Sequence, residues 1–331
     1  GITPLVIGLT VVAFGTSSPE LAVSLQASLG GEPDIALGNV VGSNIFNVLV
    51  ILGLSALLTP LVVAQQLVRL EIPLMIGLSL LTLAFALDGM IGRIDGLLLS
   101  LGLIAYCVFA VRQSSKESRA VQAEYEAEYS EGAPQRGQRL VNIVLVIAGL
   151  GLLILGSRWL VSGAVAIAEA LGASKLVIGL TIIAAGTSLP EVATSVIASL
   201  RGERDIAVGN VVGSCLFNLM GILGLASVLS PEGIPVAPSA LTFDLPVMVA
   251  VGIACLPICF TGYRIGRREG LMLLAYYVAY TLYLILDSAG HDALPAFSAT
   301  MAWFVIPITV VTLAVLTGQA LKARRGATAE T

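Results

Sequence analysis

The sequence predicts an all-α polytopic membrane protein made of two related halves. Of its 331 residues, 57% are hydrophobic and 11% are charged, whereas soluble domains carry about 25% charged residues. A motif, Gly-Thr-Ser-x-Pro-Glu, occurs at 15–20 and again at 186–191. Aligned at the same offset, residues 1–60 and 172–231 are identical at 37 of 60 positions. The chain therefore contains an internal repeat, which is typical of transporters built from two symmetry-related units.

Apolar segments long enough to cross a bilayer, about 20 residues each, occur ten times. We predict spans at 5–28, 36–58, 70–88, 95–112, 140–168, 176–199, 206–229, 240–261, 269–287 and 298–320. Each repeat is then a five-helix unit, of which the first lacks its leading helix, and the last span is additional. The span at 140–168 opens the second repeat and has no counterpart in the first. We therefore expect the natural gene to encode one more span before Gly1.

The topology follows from the helix count and from the basic residues. Five helices separate equivalent points of the repeats, and an odd number predicts inverted topology. With the N-terminus inside, 14 of the 17 Lys and Arg residues fall on the cytoplasmic side, as the positive-inside rule requires. The predicted divisions are a first half at 1–112, a cytoplasmic linker loop at 113–138, a second half at 139–287, and an extra span with a basic tail at 288–331.

The repeated motif predicts a broken helix that carries oxygen ligands. Proline lacks an N–H and clashes with the preceding helical turn, and a broken span is tolerated where its backbone lines a cavity. In the first copy, the carbonyls of Ala13 and Thr16 and the side chains of Thr16, Ser17 and Glu20 then become candidate ligands. The second copy supplies the carbonyls of Ala184 and Thr187 and the side chains of Thr187, Ser188 and Glu191.

The span after each motif adds a polar stripe with a period of four. Its members are Asn39, Ser43 and Asn47 in the first repeat, and Asn210, Ser214 and Asn218 in the second. Glycines beside them, such as Gly42 and Gly213, allow close approach of helices. Carboxylate, hydroxyl and carbonyl oxygens suit a hard cation such as Na⁺ or Ca²⁺.

Buried carboxylates in a membrane span mark a functional site. No mid-span Lys or Arg is positioned to pair with Glu20 or Glu191, so a bound cation is the natural counter-charge. The other acidic residues lie at or near span ends, where water or headgroups are expected to solvate them: Glu71, Asp88, Asp95, Glu169 and Asp244. The four cysteines indicate neither a disulfide framework nor a metal site.

The paired motifs resemble the two alpha repeats of the calcium/cation antiporter superfamily, and the bacterial sodium/calcium exchanger branch in particular. The resemblance covers nearly the whole chain except the last span. It implies exchange of Ca²⁺ for Na⁺ by alternating access, with Glu20 and Glu191 as central shared ligands. It further implies oxygens from six hydroxyl residues and two flanking amides: Thr16, Ser17, Ser43, Thr187, Ser188, Ser214, Asn47 and Asn218.

The amides are a departure from this resemblance, because exchangers often carry an acidic residue where this chain has Asn218. The intramembrane charge is then −2, which one Ca²⁺ or two Na⁺ neutralise. A Ca²⁺/H⁺ antiporter stays an alternative, since it needs the same glutamates. An intramembrane protease is disfavoured because the chain has no mid-span Asp pair, and a channel because broken helices in inverted repeats favour alternating access.

The expected partners are the transported ions and the lipid bilayer. We expect no enzymatic activity, no cofactor, no nucleic acid and no obligate protein partner. The expected location is the bacterial inner membrane, with several membrane crossings.

Overall fold

The computed structural model describes residues 3–129 and 174–329, together with scattered positions between 141 and 172. In this part of the chain, seven helices are long and apolar enough to cross a membrane, and two bent helix pairs raise that number to nine. These nine match nine of the predicted spans and confirm the polytopic helical fold. The tenth, predicted at 140–168, lies outside the continuously described residues.

The helices of the first half are α1 to α5. Their bounds are Pro4–Thr16 (α1), Ser18–Leu29 (α2), Pro33–Leu58 (α3), Leu67–Asp88 (α4) and Arg93–Tyr129 (α5). Helix α5 therefore continues beyond Arg112, where the sequence predicted the linker loop to begin. The first part of that predicted loop is helical, and its remainder, from residue 130 to 138, lies outside the described residues.

The helices after residue 174 are α6 to α11. Their bounds are Lys175–Thr187 (α6), Leu189–Leu200 (α7), Arg204–Leu229 (α8), Ala240–Phe260 (α9), Arg267–Ser288 (α10) and Leu294–Gln319 (α11). The starts of α1 and α6 are alike. The hydroxyl of Thr3 accepts the N–H of Val6 at 3.4 Å, and that of Ser174 accepts the N–H of Val177 at 3.2 Å, so each oxygen caps its helix.

In the described part of the chain, four two-residue strands connect the halves at the two ends of the bundle. They are β1 (Leu61–Val62), β2 (Met90–Ile91), β3 (Ile234–Pro235) and β4 (Arg264–Ile265). Strand β1 pairs antiparallel with β4, and β2 pairs antiparallel with β3. Because β1 precedes α4 and β2 follows it, the two pairs lie at opposite ends of that helix. This pairing agrees with the predicted topology, which assigns the members of each pair to the same side.

Close approach of helices joins the two halves around the motifs. A Cβ at Gly42 of α3 would lie 2.7 Å from Leu180 Cα of α6 and 2.8 Å from Ala184 Cβ. In the equivalent place, a Cβ at Gly213 of α8 would lie 2.7 Å from Leu9 Cα of α1. Real Cβ atoms do not come so close to backbone, so only glycine fits. The prediction that these glycines permit close helix packing is confirmed.

Candidate functional site

Two helix breaks form the centre of the candidate site. The axes of α1 and α2 differ by 46°, and those of α6 and α7 by 45°. The break residues Ser17 and Ser188 have nearly identical backbone angles, with φ of −79° and −83° and ψ of 9° and 8°. Pro19 and Pro190 lie in the first turn of the helix that follows, where the missing N–H of proline is tolerated. The predicted broken helices are confirmed.

The two motifs contact each other through reciprocal hydrogen bonds. Ser17 Oγ donates to Glu191 Oε1 at 2.9 Å, and Ser188 Oγ donates to Glu20 Oε1 at 2.8 Å. Glu20 is 1% exposed and Glu191 is fully buried. Each half thus supplies the serine that binds the carboxylate of the other half. Hydrogen bonds to ionised groups are among the stronger ones in proteins, so these contacts hold the two carboxylates in one site.

Several further polar atoms of this region are buried without a hydrogen-bond partner. They are Oε2 of Glu20, Oε2 of Glu191, both amide atoms of Asn47 and of Asn218, and Oγ of Ser214. Buried polar atoms are nearly always satisfied, and each exception calls for a physical reason. Here the group contains carboxylate, amide and hydroxyl oxygens, which are the ligands that Ca²⁺ and other hard cations prefer.

The threonines of the motifs contact the asparagines of the opposite half. Thr16 Oγ1 lies 3.2 Å from Asn210 Oδ1, and Thr187 Oγ1 lies 3.0 Å from Asn39 Oδ1. Both threonine hydroxyls also lie within hydrogen-bond distance of carbonyls one turn earlier in their own helices. The single O–H of each threonine is therefore used within the protein. The lone pairs of its oxygen can still coordinate a cation.

Two serines that the sequence analysis did not consider complete this network. Asn39 Nδ2 donates to Ser24 Oγ, and Asn210 Nδ2 donates to Ser195 Oγ, both at 2.9 Å. Ser24 and Ser195 are fully buried. The repeat could have revealed them, because each serine lies four residues after the motif glutamate in its half. The network fixes the orientation of the asparagines and hence of the threonines.

The predicted carbonyl ligands are less free than the sequence suggested. The carbonyl oxygen of Ala13 accepts the N–H of Ser17 at 2.9 Å, and that of Ala184 accepts the N–H of Ser188 at 3.1 Å. The break thus leaves these two backbone bonds intact, which corrects the expectation that they are freed. Each oxygen also lies 3.3–3.4 Å from a threonine hydroxyl, Thr16 for Ala13 and Thr187 for Ala184. Both residues stay candidate ligands, but a cation that binds either carbonyl has to displace this long contact.

The two halves differ at the serines of α3 and α8. Ser43 Oγ lies 3.3 Å from Ser188 Oγ, so Ser43, Ser188 and Glu20 form one chain of contacts. Ser214 Oγ has no hydrogen-bond partner. In the described part of the chain, neither Glu20 nor Glu191 takes part in an ion pair. The site therefore has two carboxylates and no basic side chain bonded to them, so it has the charge and the ligands to hold a cation.

Sequence comparison identifies the family. The profile described as "Sodium/calcium exchanger protein" matches residues 1–112 and 141–286. The chain belongs to the sodium/calcium exchanger family. This family assignment confirms the resemblance that the paired motifs carried. The match ends at residue 286, within α10, so α11 lies beyond it.

Similar proteins support this assignment along most of the chain. CaxA of Alkalimonas amylolytica is 41% identical over 87% of this chain and 89% of its own length. The sodium/calcium exchanger MaX1 of Methanosarcina acetivorans is 34% identical over 86% of this chain and 89% of its own length. A solved structure of the sodium-calcium exchanger NCX_Mj has a TM-score of 0.67 and 32% identity, covering 84% of this chain and 85% of that chain.

Among the described residues of this member of the exchanger family, two further carboxylates are buried, contrary to the sequence-based expectation. Glu71 is 1% exposed and Asp244 is 2% exposed, whereas water or headgroups were expected to solvate them. Glu71 Oε1 accepts from Gln66 Nε2 at 2.7 Å, and Asp244 Oδ1 accepts from Tyr280 Oη at 2.9 Å. Protein side chains thus replace the solvent around these two carboxylates. Asp88 is exposed as expected, and Glu169 lies outside the described residues.

Proposed function

We propose that this protein exchanges Ca²⁺ for Na⁺ across the membrane by alternating access, with the cation bound between Glu20 and Glu191. The observation that carries the proposal is the reciprocal pair of serine–glutamate hydrogen bonds, which joins the two repeats at their breaks. A cation at this point contacts both halves at once. Movement of one half against the other then exposes it to alternate sides of the membrane.

Charge compensation favours a competition between one Ca²⁺ and two Na⁺. The site has two carboxylates, each with one oxygen bonded to a serine and the other without a hydrogen-bond partner. Removing a cation from water requires near-complete neutralisation in a buried site. One Ca²⁺ or two Na⁺ satisfy this requirement, and a third Na⁺ leaves the site positive. The two ions therefore compete for the same oxygens, which is the condition for exchange.

The remaining buried groups fit a ligand shell for this cation. Ser43, Ser214, Asn47 and Asn218 come from α3 and α8, the helices that pack closely against the broken spans. Ca²⁺ takes about six to eight oxygens, more than two carboxylates provide. We infer that these side chains, the motif hydroxyls and the carbonyls of Ala13 and Ala184 supply the others. The protein is an integral membrane protein with several crossings, and we place it in the bacterial inner membrane.

Na⁺ coupling is tested against H⁺ coupling by ⁴⁵Ca²⁺ uptake into vesicles that contain the purified protein. With pH equal on both sides, an outward Na⁺ gradient is expected to drive uptake, and collapsing that gradient with an ionophore to stop it. The matched experiment imposes a pH gradient in the absence of Na⁺ and measures the same uptake. Uptake driven by the pH gradient alone would replace the Na⁺/Ca²⁺ mechanism with a Ca²⁺/H⁺ antiporter.

The predicted orientation places Ser130 in the linker and Thr328 in the tail on the cytoplasmic side. In a variant without the four native cysteines, single cysteines at either position should resist an impermeant thiol reagent added outside intact cells. Opening the cells should make both reactive, which controls for their intrinsic reactivity. Rapid labelling of either position in intact cells would overturn the orientation, because 14 of the 17 basic residues would then lie outside.

Replacement of the buried amides should change the ion coupling. Asn47→Asp or Asn218→Asp adds a third carboxylate to a site that already has two. Crowded like charges favour proton uptake, so transport should fall more steeply than wild type as the pH is lowered. Its Na⁺ dependence should also change. We measure Na⁺-driven Ca²⁺ flux from pH 6 to 9. If both variants keep wild-type pH and Na⁺ profiles, Asn47 and Asn218 are not part of the site.

A further inference from the structure

An elongated cavity separates α11 from the helices of the second half. Its volume is about 490 Å³, within the range of about 300–1,000 Å³ that is typical of small-molecule sites. Along α9 its lining runs from Phe243 to Ile258, which corresponds to roughly 22 Å of helix. The cavity thus follows most of the hydrocarbon thickness of about 30 Å, and it requires an equally elongated occupant.

The walls of the cavity are mostly apolar and present few hydrogen-bonding groups. Tyr276 Oη of α10 and Thr309 Oγ1 of α11 bond to each other at 2.5 Å, and Tyr280 Oη donates to Asp244. Three of the five lining hydroxyls are thereby satisfied within the protein, and the other two belong to Tyr283 and Ser298. Most of the remaining lining is aliphatic or aromatic, including Val247, Val251 and Leu313. Water and ions need several polar partners, so an apolar chain is the occupant that fits.

One end of the cavity lies next to a basic residue. On α10, the lining residues Met272, Tyr276 and Tyr283 share one helix face. Arg268 is exposed and lies one turn before Met272 on that face, because residues four apart in a helix are neighbours. An anionic group placed at Arg268 therefore lies at the mouth of the cavity. Its neighbour Arg267 lies about 100° further around the helix and donates to Leu58 O at 3.5 Å.

We propose that this cavity binds one acyl chain of an anionic phospholipid, with the headgroup at Arg268. A lipid tail gains little by exchanging bilayer for apolar protein, because both are equally apolar. The shape of the cavity therefore selects a single extended chain, and the arginine selects negative charge in the headgroup. The bound lipid connects α11 to α9 and α10, where the side chains alone leave a gap.

The exposure of α11 supports this role for a lipid. Trp303 is 78% exposed, Ile308 63% and Val311 62%, so α11 contacts the rest of the protein through one narrow face. The family profile ends before this helix. The site is thus an addition to the exchange machinery, and it does not depend on the proposed Ca²⁺ and Na⁺ specificity.

Native mass spectrometry of the purified, delipidated protein tests this proposal. Phosphatidylglycerol and phosphatidylcholine with the same acyl chains are titrated separately. The wild type should bind one phosphatidylglycerol more tightly than any further lipid and more tightly than phosphatidylcholine. Ala302→Phe, which fills the cavity from α11, should weaken this first binding step. Ala314→Phe is the matched control, because Ala314 is also an exposed alanine of α11 but does not line the cavity.

The headgroup position is tested by a second pair of variants. Arg268→Gln should reduce the preference for phosphatidylglycerol over phosphatidylcholine by about fivefold, the effect of one basic residue near an anionic membrane surface. Arg267→Gln removes the same charge from another face and should preserve the preference. The proposal is overturned if Ala302→Phe binds phosphatidylglycerol as the wild type does, or if Arg268→Gln keeps the full preference.

Discussion

Glu20→Gln and Glu191→Gln should each abolish Na⁺-driven Ca²⁺ transport while the protein still folds and inserts. Each substitution keeps the side-chain shape and one oxygen but removes one of two negative charges from a site that is 0–1% exposed. Loss of residues that merely support a metal ligand lowers affinity by about 10–100-fold, so loss of a ligand carboxylate should exceed this range. Glu20→Asp should be damaging but less severe, because it keeps the charge and misplaces the oxygen.

The effect is measured as initial ⁴⁵Ca²⁺ flux per reconstituted protein, with size-exclusion profiles to show that each variant is folded. Glu32→Gln is the matched control, since Glu32 is an exposed carboxylate that pairs with Lys175 outside the site. It should retain most of the flux, and so should Glu124→Gln in the predicted linker. Normal flux in both motif variants would remove the central element of the exchanger mechanism, however good the family match.

Gly42→Val and Gly213→Val should destabilise the protein strongly. Any Cβ at these positions lies within 2.7 Å of a backbone Cα in the opposite half, so the helices have to separate. Overpacking typically costs about 1–3 kcal/mol, and more where backbone must move. Separation of α3 from α6, or of α8 from α1, also displaces the breaks that carry Glu20 and Glu191. We therefore expect a lower melting temperature together with loss of transport.

Gly77→Val is the control for this prediction. Gly77 lies within α4, and a Cβ there would meet nothing within 4 Å. The substitution changes helix propensity only slightly and should leave melting temperature and transport close to wild type. Wild-type melting temperatures for Gly42→Val and Gly213→Val would show that the close helix crossings are not required.

The sequence predicted the helices and the site centre because both depend on strong local signals. Apolar length marks the spans, and proline beside glycine marks the helix breaks. The paired motifs identified Glu20 and Glu191 as candidate ligands because carboxylates are rare in membrane spans. The repeat gave a second, independent reason to assign both glutamates to one site. Equivalent residues of two symmetry-related halves are expected to meet at the axis that the halves share.

The details that the sequence missed depend on how individual side chains and backbone groups pair in the folded chain. Ser17 was predicted as a ligand, but its hydrogen bond to Glu191 joins residues that are far apart in sequence. The burial of Glu71 and Asp244 depends on hydrogen bonds from Gln66 and Tyr280. The predicted ends of the spans do not indicate these bonds. Periodicity also cannot show that the backbone bond at Ala13 survives the break. The contacts of Ser17 and Tyr280 are set by the crossing of helices, which a single sequence specifies only indirectly. Those at Ala13 and Glu71 are set by local geometry that the apolar pattern does not encode.

The position of the bound cation tests the central claim most directly. Crystals of the protein soaked in Ca²⁺ should show one strong anomalous peak between the two motif breaks. Its distance from the nearest carboxylate oxygens of Glu20 and Glu191 should be about 2.3–2.6 Å, the usual Ca²⁺–oxygen distance. Raising Na⁺ in the soak should reduce the peak. A Ca²⁺ peak elsewhere in the bundle, or a peak at the motifs that touches only one of the two glutamates, would contradict this mechanism.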